Sequence, residues 1–309
     1  MIASTTRAVP LAGFEKRMPP FSANSLRPLR PTSPRELENF RKEINFLRAL
    51  QGPAPATRGL LTLIAAVFLG AYLLNWSVVT PRVGAPADPL LPMLLVGAKI
   101  NTEIAAGAWW RLLSAAFVHG SWLHALVNAY GLFMLGGVVE RLFGTRRFLL
   151  IYAVAALCGG LASYAFNTHP SVGASGAIFG VFGAAIVFGF RHRSSLPAHI
   201  AKALSVGMLP WLVFSLAFGL LPMIDNAAHL GGLAGGAALA AVLGTPLQGQ
   251  ESHRFATLQN IALALCAAVI ITVFFSAARY TYNCTNDPAA WEQCVEAAGF
   301  FETEASPKP

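Results

Sequence analysis

Two polar side chains, Ser175 and His229, stand in long apolar runs and have the types that acyl transfer needs. Ser175 lies in Gly173-Ala-Ser175-Gly176, and His229 lies in Ala-His229-Leu-Gly-Gly. A serine hydroxyl is a poor nucleophile until a neighbouring base takes its proton, and histidine is the commonest such base. The pair therefore predicts attack on a carbonyl carbon, with Ser175 as the nucleophile and His229 as the general base.

His124 and Asn128 could supply the donors that such a reaction also requires. Attack on an amide places negative charge on the carbonyl oxygen, which must be met by prearranged hydrogen-bond donors. The two residues are four apart, so on a helix they share one face. The backbone N–H of Ser175 could add a third donor. We find no carboxylate near His229 in this arrangement and expect a dyad, not a triad.

Each of these signals also has an ordinary structural explanation. A Gly-x-Ser-Gly run arises easily by chance in a chain with 28 glycines. Asn128 could merely join two helices by a hydrogen bond. His119 and Trp110-Arg111 could have no role other than to anchor the interfacial loop. A lone intramembrane histidine also suits a proton relay. The catalytic interpretation depends on the residues acting together.

The composition indicates what surrounds these side chains. Of the 309 residues, 55% are hydrophobic and only 12% are charged, which favours a bilayer over water as the solvent. The formal charge of +8 belongs to the flanks and loops, since 10 of the 22 Lys and Arg residues lie within 1–58. Such a distribution favours lipid and topology over nucleic acid. No Cys or His cluster has zinc-site spacing, so no metal site is predicted.

Seven apolar runs approach the roughly 20 residues that a membrane span needs. They lie at about 58–77, 121–139, 148–166, 172–190, 203–222, 226–243 and 258–278. With the N-terminus inside, 17 Lys and Arg residues fall on the cytoplasmic side and 5 outside, as the positive-inside rule favours. His124, Ser175 and His229 then lie on three helices of the same direction, roughly 5–10 Å below the outer surface.

Small residues predict how two of these helices meet. Gly176, Gly180 and Gly183 recur on the helix of Ser175, and Gly232 and Gly236 recur on the helix of His229. Faces of this kind let helix backbones approach closely in a membrane. We expect the two glycine faces to be in contact, which would bring the nucleophile and the base together.

The segments before the second span carry less specific signals. Residues 1–57 form a basic arm, with disorder expected over 1–32 and an amphipathic helix after the capping box Ser33-Pro-Arg-Glu36. This helix either lies on the membrane surface or is solvated, and both alternatives stay open. The apolar run 89–98 is too short and too Pro-rich to span, so we expect a loop half sunk in the interface.

The C-terminal part is predicted to comprise a linker and seventh span at 246–280 and an extracytoplasmic tail at 281–309. Cys284 and Cys294 are the cysteines of this tail, and disulfides persist outside the cytoplasm. Between them, Asp287-Pro288 has the form of a helix start. The sequence therefore predicts a Cys284–Cys294 bridge that closes a short hairpin-like cap, with two free thiols in a flexible tail as the alternative.

The ordered motifs of residues 58–245 resemble those of the rhomboid intramembrane serine proteases. They are Trp110-Arg111, His119, His124-x-x-x-Asn128, Gly136-x-x-x-Glu140-x-x-x-Gly144, Gly173-x-Ser175-Gly176 and Ala228-His229-x-x-Gly232-x-x-x-Gly236. The resemblance implies an all-α, polytopic membrane protein with a six-helix core, here followed by one C-terminal transmembrane helix. It implies the dyad of Ser175 and His229, with His124, Asn128 and the Ser175 amide at the oxyanion.

The same resemblance implies a substrate class and a location. Its substrates would be single-span membrane proteins, cut near the outer surface without a cofactor. Phe179 stands where the family often has tyrosine, and we expect its ring to stack on His229. The helix appended after the core favours a bacterial plasma membrane, while the Arg-rich residues 1–35 keep a mitochondrial transit peptide as an alternative.

Two functions from other classes are alternatives to proteolysis. A rhomboid-like protein could bind membrane clients without cutting them, but such a binder has no use for a nucleophile and a base on separate helices. A transporter could use His124 and His229 as a proton path, but we would then expect intramembrane carboxylates and inverted halves. Both features are missing from the sequence.

Overall fold

The computed structural model describes residues 33–83, 90–221, 224–245 and 253–305, and every regular element in these ranges is helical. The α-helices are α1 Pro34–Leu50, α2 Pro55–Leu74, α3 Thr80–Val83, α4 Leu90–Val96, α5 Asn101–Ala105, α6 Arg111–Ser114, α7 Trp122–Gly131, α8 Gly137–Phe143, α9 Thr145–Phe166, α10 Ser175–Arg191, α11 Ala198–Leu204, α12 Leu209–Phe218, α13 Asn226–Val242, α14 His253–Asn286 and α15 Pro288–Ala305. The predicted all-α class is confirmed. The disorder expected over 1–32 lies outside the described residues.

The chain divides into two units, Met1–Arg41 and Lys42–Pro309. In the first unit, the Glu36 carboxylate accepts from the Ser33 N–H and the Ser33 hydroxyl accepts from the Glu36 N–H, each at 3.2 Å. This reciprocal pair is the predicted capping box. The elements from α2 onward belong to the second unit.

Four described helical stretches are long and apolar enough to cross a membrane: Pro55–Arg82, Trp122–Phe143, Thr145–Phe166 and Arg254–Asn286. The predicted span 203–222 is instead broken, since Ala198–Leu204 and Val206–Phe218 meet at a bend of 43°. The break lies at Ser205, whose φ of −114° and ψ of −102° are not helical, and Pro210 lies in the first turn of α12, where its missing N–H would have no partner in any case. The helices α10 and α13 have 17 residues each. The count of seven spans therefore stays a prediction, as does their orientation.

The glycine faces of α10 and α13 are in backbone contact, as predicted. A Cβ atom added at Gly232 would lie 1.9 Å from the Gly176 carbonyl oxygen, and one added at Gly236 would lie 2.4 Å from the Gly180 Cα atom. Only glycine permits so close an approach. The contact places the first turns of the two helices side by side.

Glu140 ties the beginning of α2 to the helices that follow it. Its buried carboxylate accepts hydrogen bonds from the Ala56 N–H at 2.9 Å, the Thr57 N–H at 2.8 Å, and the hydroxyls of Thr57 and Thr145 at 2.7 and 2.9 Å. Four partners satisfy a buried carboxylate, and a negative charge at a helix N-terminus is favourable. The Gly-x-x-x-Glu-x-x-x-Gly motif thus has a structural function.

The loop between the first two predicted spans is more buried than expected. Leu94 and Leu95 of α4 are fully buried against protein, whereas we predicted that the run would be half sunk in the interface. Arg111 accounts for the difference, since its guanidinium donates to the Leu94 and Ala98 carbonyls at 2.9 and 3.0 Å. The same group packs between the rings of Trp110 and Tyr280, at 4.6 and 4.5 Å from their centroids.

The C-terminal hairpin has the predicted disulfide, which joins Cys284 at the end of α14 to Cys294 in α15. Asp287 Oδ1 accepts from the Ala289 N–H at 2.9 Å, and Pro288 is the first residue of α15, as the helix-start signal predicted. The bridge is buried beside Leu91 and Leu94. The hairpin therefore packs against the loop that contains α4.

Candidate active site

Ser175 is the first residue of α10, whereas the sequence predicted that this helix begins near residue 172. Four residues earlier, Ser171 is paired with Lys99 in an antiparallel bridge, in which the two residues exchange backbone hydrogen bonds of 2.9 and 3.0 Å. Gly173 then takes a φ of +122°, a conformation that residues with a side chain rarely adopt. The turn places the Ser175 hydroxyl and N–H at the helix N-terminus, where backbone N–H groups have no partner within the helix.

His229 meets Ser175 across the glycine contact. The imidazole Nε2 lies 2.8 Å from the Ser175 Oγ atom, within hydrogen-bonding distance. His229 is buried in the first turn of α13, while Ser175 is half-buried. The structure thus brings together the predicted nucleophile and base in a geometry that suits proton transfer between them.

Phe179 lies one helical turn after Ser175, and its ring stacks on the imidazole of His229. The ring centroids are 4.2 Å apart and the planes differ by 6°. A ring held parallel at this distance restricts rotation of the imidazole. The predicted stacking is therefore present in the structure, and it keeps the Nε2 atom facing Ser175.

His124 and Asn128 lie on α7 beside the turn that precedes Ser175. A Cβ atom added at Gly173 would lie 2.6 Å from the His124 Nε2 atom and 3.8 Å from the Asn128 Nδ2 atom. Gly173 is thus required both for its backbone conformation and for the approach of His124. The Asn128 Nδ2 atom also donates to the His124 carbonyl at 2.9 Å, which leaves one of its two hydrogens for another acceptor.

His119 lies beside the segment that leads to Ser175. Its Nε2 atom accepts from the Ala174 N–H at 3.4 Å, and its ring centroid is 5.0 Å from that of His124. The sequence predicted His119 as a supporting residue of the site, with an anchor for the interfacial loop as the alternative, and that role stays a prediction.

Our expectation that no carboxylate lies near His229 was wrong. Asp225 is the N-cap of α13, one turn before His229, and its Oδ1 atom accepts from the Ala228 N–H at 3.0 Å. Its other oxygen accepts from the buried Ser163 hydroxyl of α9. Neither oxygen bonds the imidazole, whose Nδ1 atom has no hydrogen-bond partner in the described part of the chain. An aspartate directly before an apolar helical run is an N-cap signal that could have identified it.

Lys99 is a second polar residue that the sequence did not single out. Its side chain is buried, and the ammonium donates to the carbonyls of Asn167 and His169, at 2.5 and 3.0 Å. Burial lowers the pKa of Lys99 to about 8, although the charge of Asp225 opposes this effect. A cavity of about 30 Å³ lies beside it. Lys99, Ser163, Ser171, Gly173, Gly176 and Ala228 are among the residues that line this cavity.

Among the described residues, no group of three or more His, Cys, Asp or Glu side chains is arranged to hold a metal ion. The site presents a hydroxyl in contact with an imidazole, beside backbone N–H donors.

Comparisons with known proteins agree on one family. The family model described as the Rhomboid domain matches residues 106–246. The rhomboid protease GluP of Bacillus subtilis is 39% identical over 56% of this chain and 34% of its own length. The putative rhomboid protease YdcA of the same organism is 36% identical over 44% of this chain and 68% of its own length. RHOMBOID-like protein 4 of Arabidopsis thaliana is 30% identical over 68% of this chain and 55% of its own length. The aligned part of the chain thus spans about a third of GluP and about half of the Arabidopsis protein.

Proposed function

The chain belongs to the rhomboid family, and from that premise we propose that it is an intramembrane serine endopeptidase that cuts membrane proteins with Ser175 and His229. The observation that carries the proposal is the 2.8 Å contact between the Ser175 Oγ and His229 Nε2 atoms. A nucleophile activated by an adjacent base is the common requirement of serine proteases.

In the proposed reaction, His229 takes the Ser175 proton as the Oγ atom attacks the scissile carbonyl carbon. The negative charge on the carbonyl oxygen is then met by donors from His124, Asn128 and the Ser175 N–H. The protonated imidazole gives its proton to the leaving amine, and an acyl-enzyme ester remains on Ser175. A water molecule, deprotonated by His229, hydrolyses this ester and restores the serine. No cofactor enters the reaction.

We further propose residues 58–245 as the protease core and single-span membrane proteins as the substrates. The proposed location is a bacterial plasma membrane, with the N-terminus in the cytoplasm and the tail outside. The positive-inside bias and the disulfide of the C-terminal hairpin support this orientation, because disulfides are rare in a reducing cytoplasm.

The test is an assay of the purified full chain in detergent against a generic single-span reporter protein. We expect one or two defined cleavage products, with the cut mapped by mass spectrometry to a site near one membrane surface. A reporter that is bound but never cut would contradict the protease and favour the client-binding alternative.

Asn128→Ala should slow cleavage by roughly 10²-fold or less, because the donors from His124 and the Ser175 N–H remain. The loss should appear in kcat and hardly in KM, since an oxyanion donor acts in the transition state. The measurement is steady-state cleavage of the reporter. An unchanged kcat would show that Asn128 only joins helices.

Phe179→Ala should slow turnover by up to about tenfold, because the His229 ring loses its packing partner. This factor corresponds to the interaction free energy of one stacked aromatic pair. Phe179→Tyr keeps the ring and serves as the matched control, with near-normal turnover expected. Thermal unfolding of both variants separates a loosened base from a loosened fold. If the alanine variant cuts as fast as the wild type, Phe179 does not hold the imidazole.

A further inference from the structure

We propose that Asp225 is a positioning residue for His229, whose carboxylate holds the base in place and stabilises the positive charge that it acquires during the reaction. The inference rests on the proposed function. It adds to the dyad a carboxylate that acts through the first turn of α13 and through space, without a hydrogen bond to the imidazole ring.

The first turn of α13 connects Asp225 directly to His229. The Asp225 carbonyl accepts from the His229 N–H at 3.2 Å, while its Oδ1 atom accepts from the Ala228 N–H at 3.0 Å. Residues four apart lie on one helix face. The residue that caps α13 thus also fixes the position of the His229 backbone.

The carboxylate is itself fixed by other elements. Its second oxygen accepts from the Ser163 hydroxyl on α9, a side chain that is buried. Burial would raise the pKa of Asp225, but hydrogen bonds from Ser163, the Ala228 N–H, Asn167 and Ser171 lower it below its ordinary value. Asp225 is therefore ionised and held between α9, α13 and the segment that leads to Ser175.

An ionised group in this position acts on the base electrostatically. When His229 takes the Ser175 proton, it becomes an imidazolium one turn from a fixed negative charge in a site of low polarity. Such a charge stabilises the protonated base without reorganisation. Asp225 therefore performs part of the task of a triad aspartate by a different geometry.

The other titratable groups around His229 are few in the described part of the chain. His124 of α7 faces the site, and Lys99 faces Asp225 with the opposite charge. Cys158 of α9 packs against Gly235, well below the imidazole, and Arg191 binds the Ala241 carbonyl at the other end of α13. Asp225 is thus the negative charge nearest to the base among these groups.

The test uses the purified full chain and a serine-reactive fluorophosphonate, whose rate of reaction with Ser175 is followed from pH 4 to 9. The rate should rise with pH as His229 loses its proton. Asp225→Asn keeps the helix cap and the bond to Ser163 but removes the charge. For Asp225→Asn, we expect the rising part of the pH–rate profile, the acid limb, to move to lower pH by about one unit. The constant rate reached at higher pH should fall about tenfold.

Two further variants test the sign of the effect, one at Asp225 and one at Lys99. Asp225→Glu restores the charge and should return the acid limb to its wild-type position. Lys99→Gln removes the opposing charge and should move the limb to higher pH. Glu43→Gln makes the same chemical change as Asp225→Asn on the exposed side of α1 and should leave the profile unchanged.

The outcomes separate this inference from the proposed function. If the wild type neither reacts with the fluorophosphonate nor cuts the reporter, both are refuted. If the wild type reacts but Asp225→Asn has an unshifted profile, only the role of Asp225 is refuted. Should Asp225→Asn not fold, Asp225→Ser also keeps a capping oxygen without the charge, and an unshifted profile for that variant would overturn the inference in the same way.

Discussion

Ser175→Ala should abolish cleavage of a single-span reporter, a loss of at least about 10³-fold, because nothing else in the site can form the acyl-enzyme. The hydroxyl is small and half-buried, so the free energy of unfolding should change by less than about 1 kcal/mol. The measurement is the initial rate of cleavage by wild-type and variant protein at equal concentration in detergent. Ser77→Ala, which removes an exposed hydroxyl on the predicted first span, is the matched control.

The same prediction extends to the base. His229→Ala should lose a comparable factor, and the double variant should be no worse than either single one, because the two residues act as a unit. Activity near that of the wild type in either single variant would refute the dyad. A double variant much slower than both would indicate that the two residues act independently, contrary to their 2.8 Å contact.

Gly236→Ala should destabilise the fold by about 3 kcal/mol or more. The new Cβ atom would lie 2.4 Å from both the Cα and the O atoms of Gly180, so α10 and α13 would have to separate. Because each helix contributes one residue of the proposed dyad, activity should fall together with stability. Unfolding in detergent, followed by circular dichroism, measures the change.

Gly70→Ala provides the control for that experiment. Gly70 also lies in a helix, but a Cβ atom added there meets nothing within 4 Å. Since alanine is the better helix former, this variant should be as stable as the wild type or slightly more so. Equal stability of Gly236→Ala and Gly70→Ala would show that the two glycine faces are not tightly packed.

The sequence alone was sufficient for the features that depend on residue type and local spacing. Long apolar runs predict membrane helices because a bilayer leaves the backbone no other partners. The types of Ser175 and His229 predict their chemistry, and the glycines on their helices predict the close contact that joins them. The Asp287-Pro288 signal predicted the start of α15 for the same local reason.

The tertiary structure decided the features that depend on residues far away in the chain. The Lys99–Ser171 bridge holds Ser171 extended and Gly173 turns the chain at a φ of +122°, so α10 begins at Ser175 and not near 172. Asp225 is satisfied by a hydroxyl on α9, and buried Lys99 by carbonyls more than 60 residues away. Hydropathy and residue spacing describe only residues that are close in the sequence. A buried charge is stable only where the fold supplies hydrogen-bond or ionic partners, and these can lie far away in the sequence.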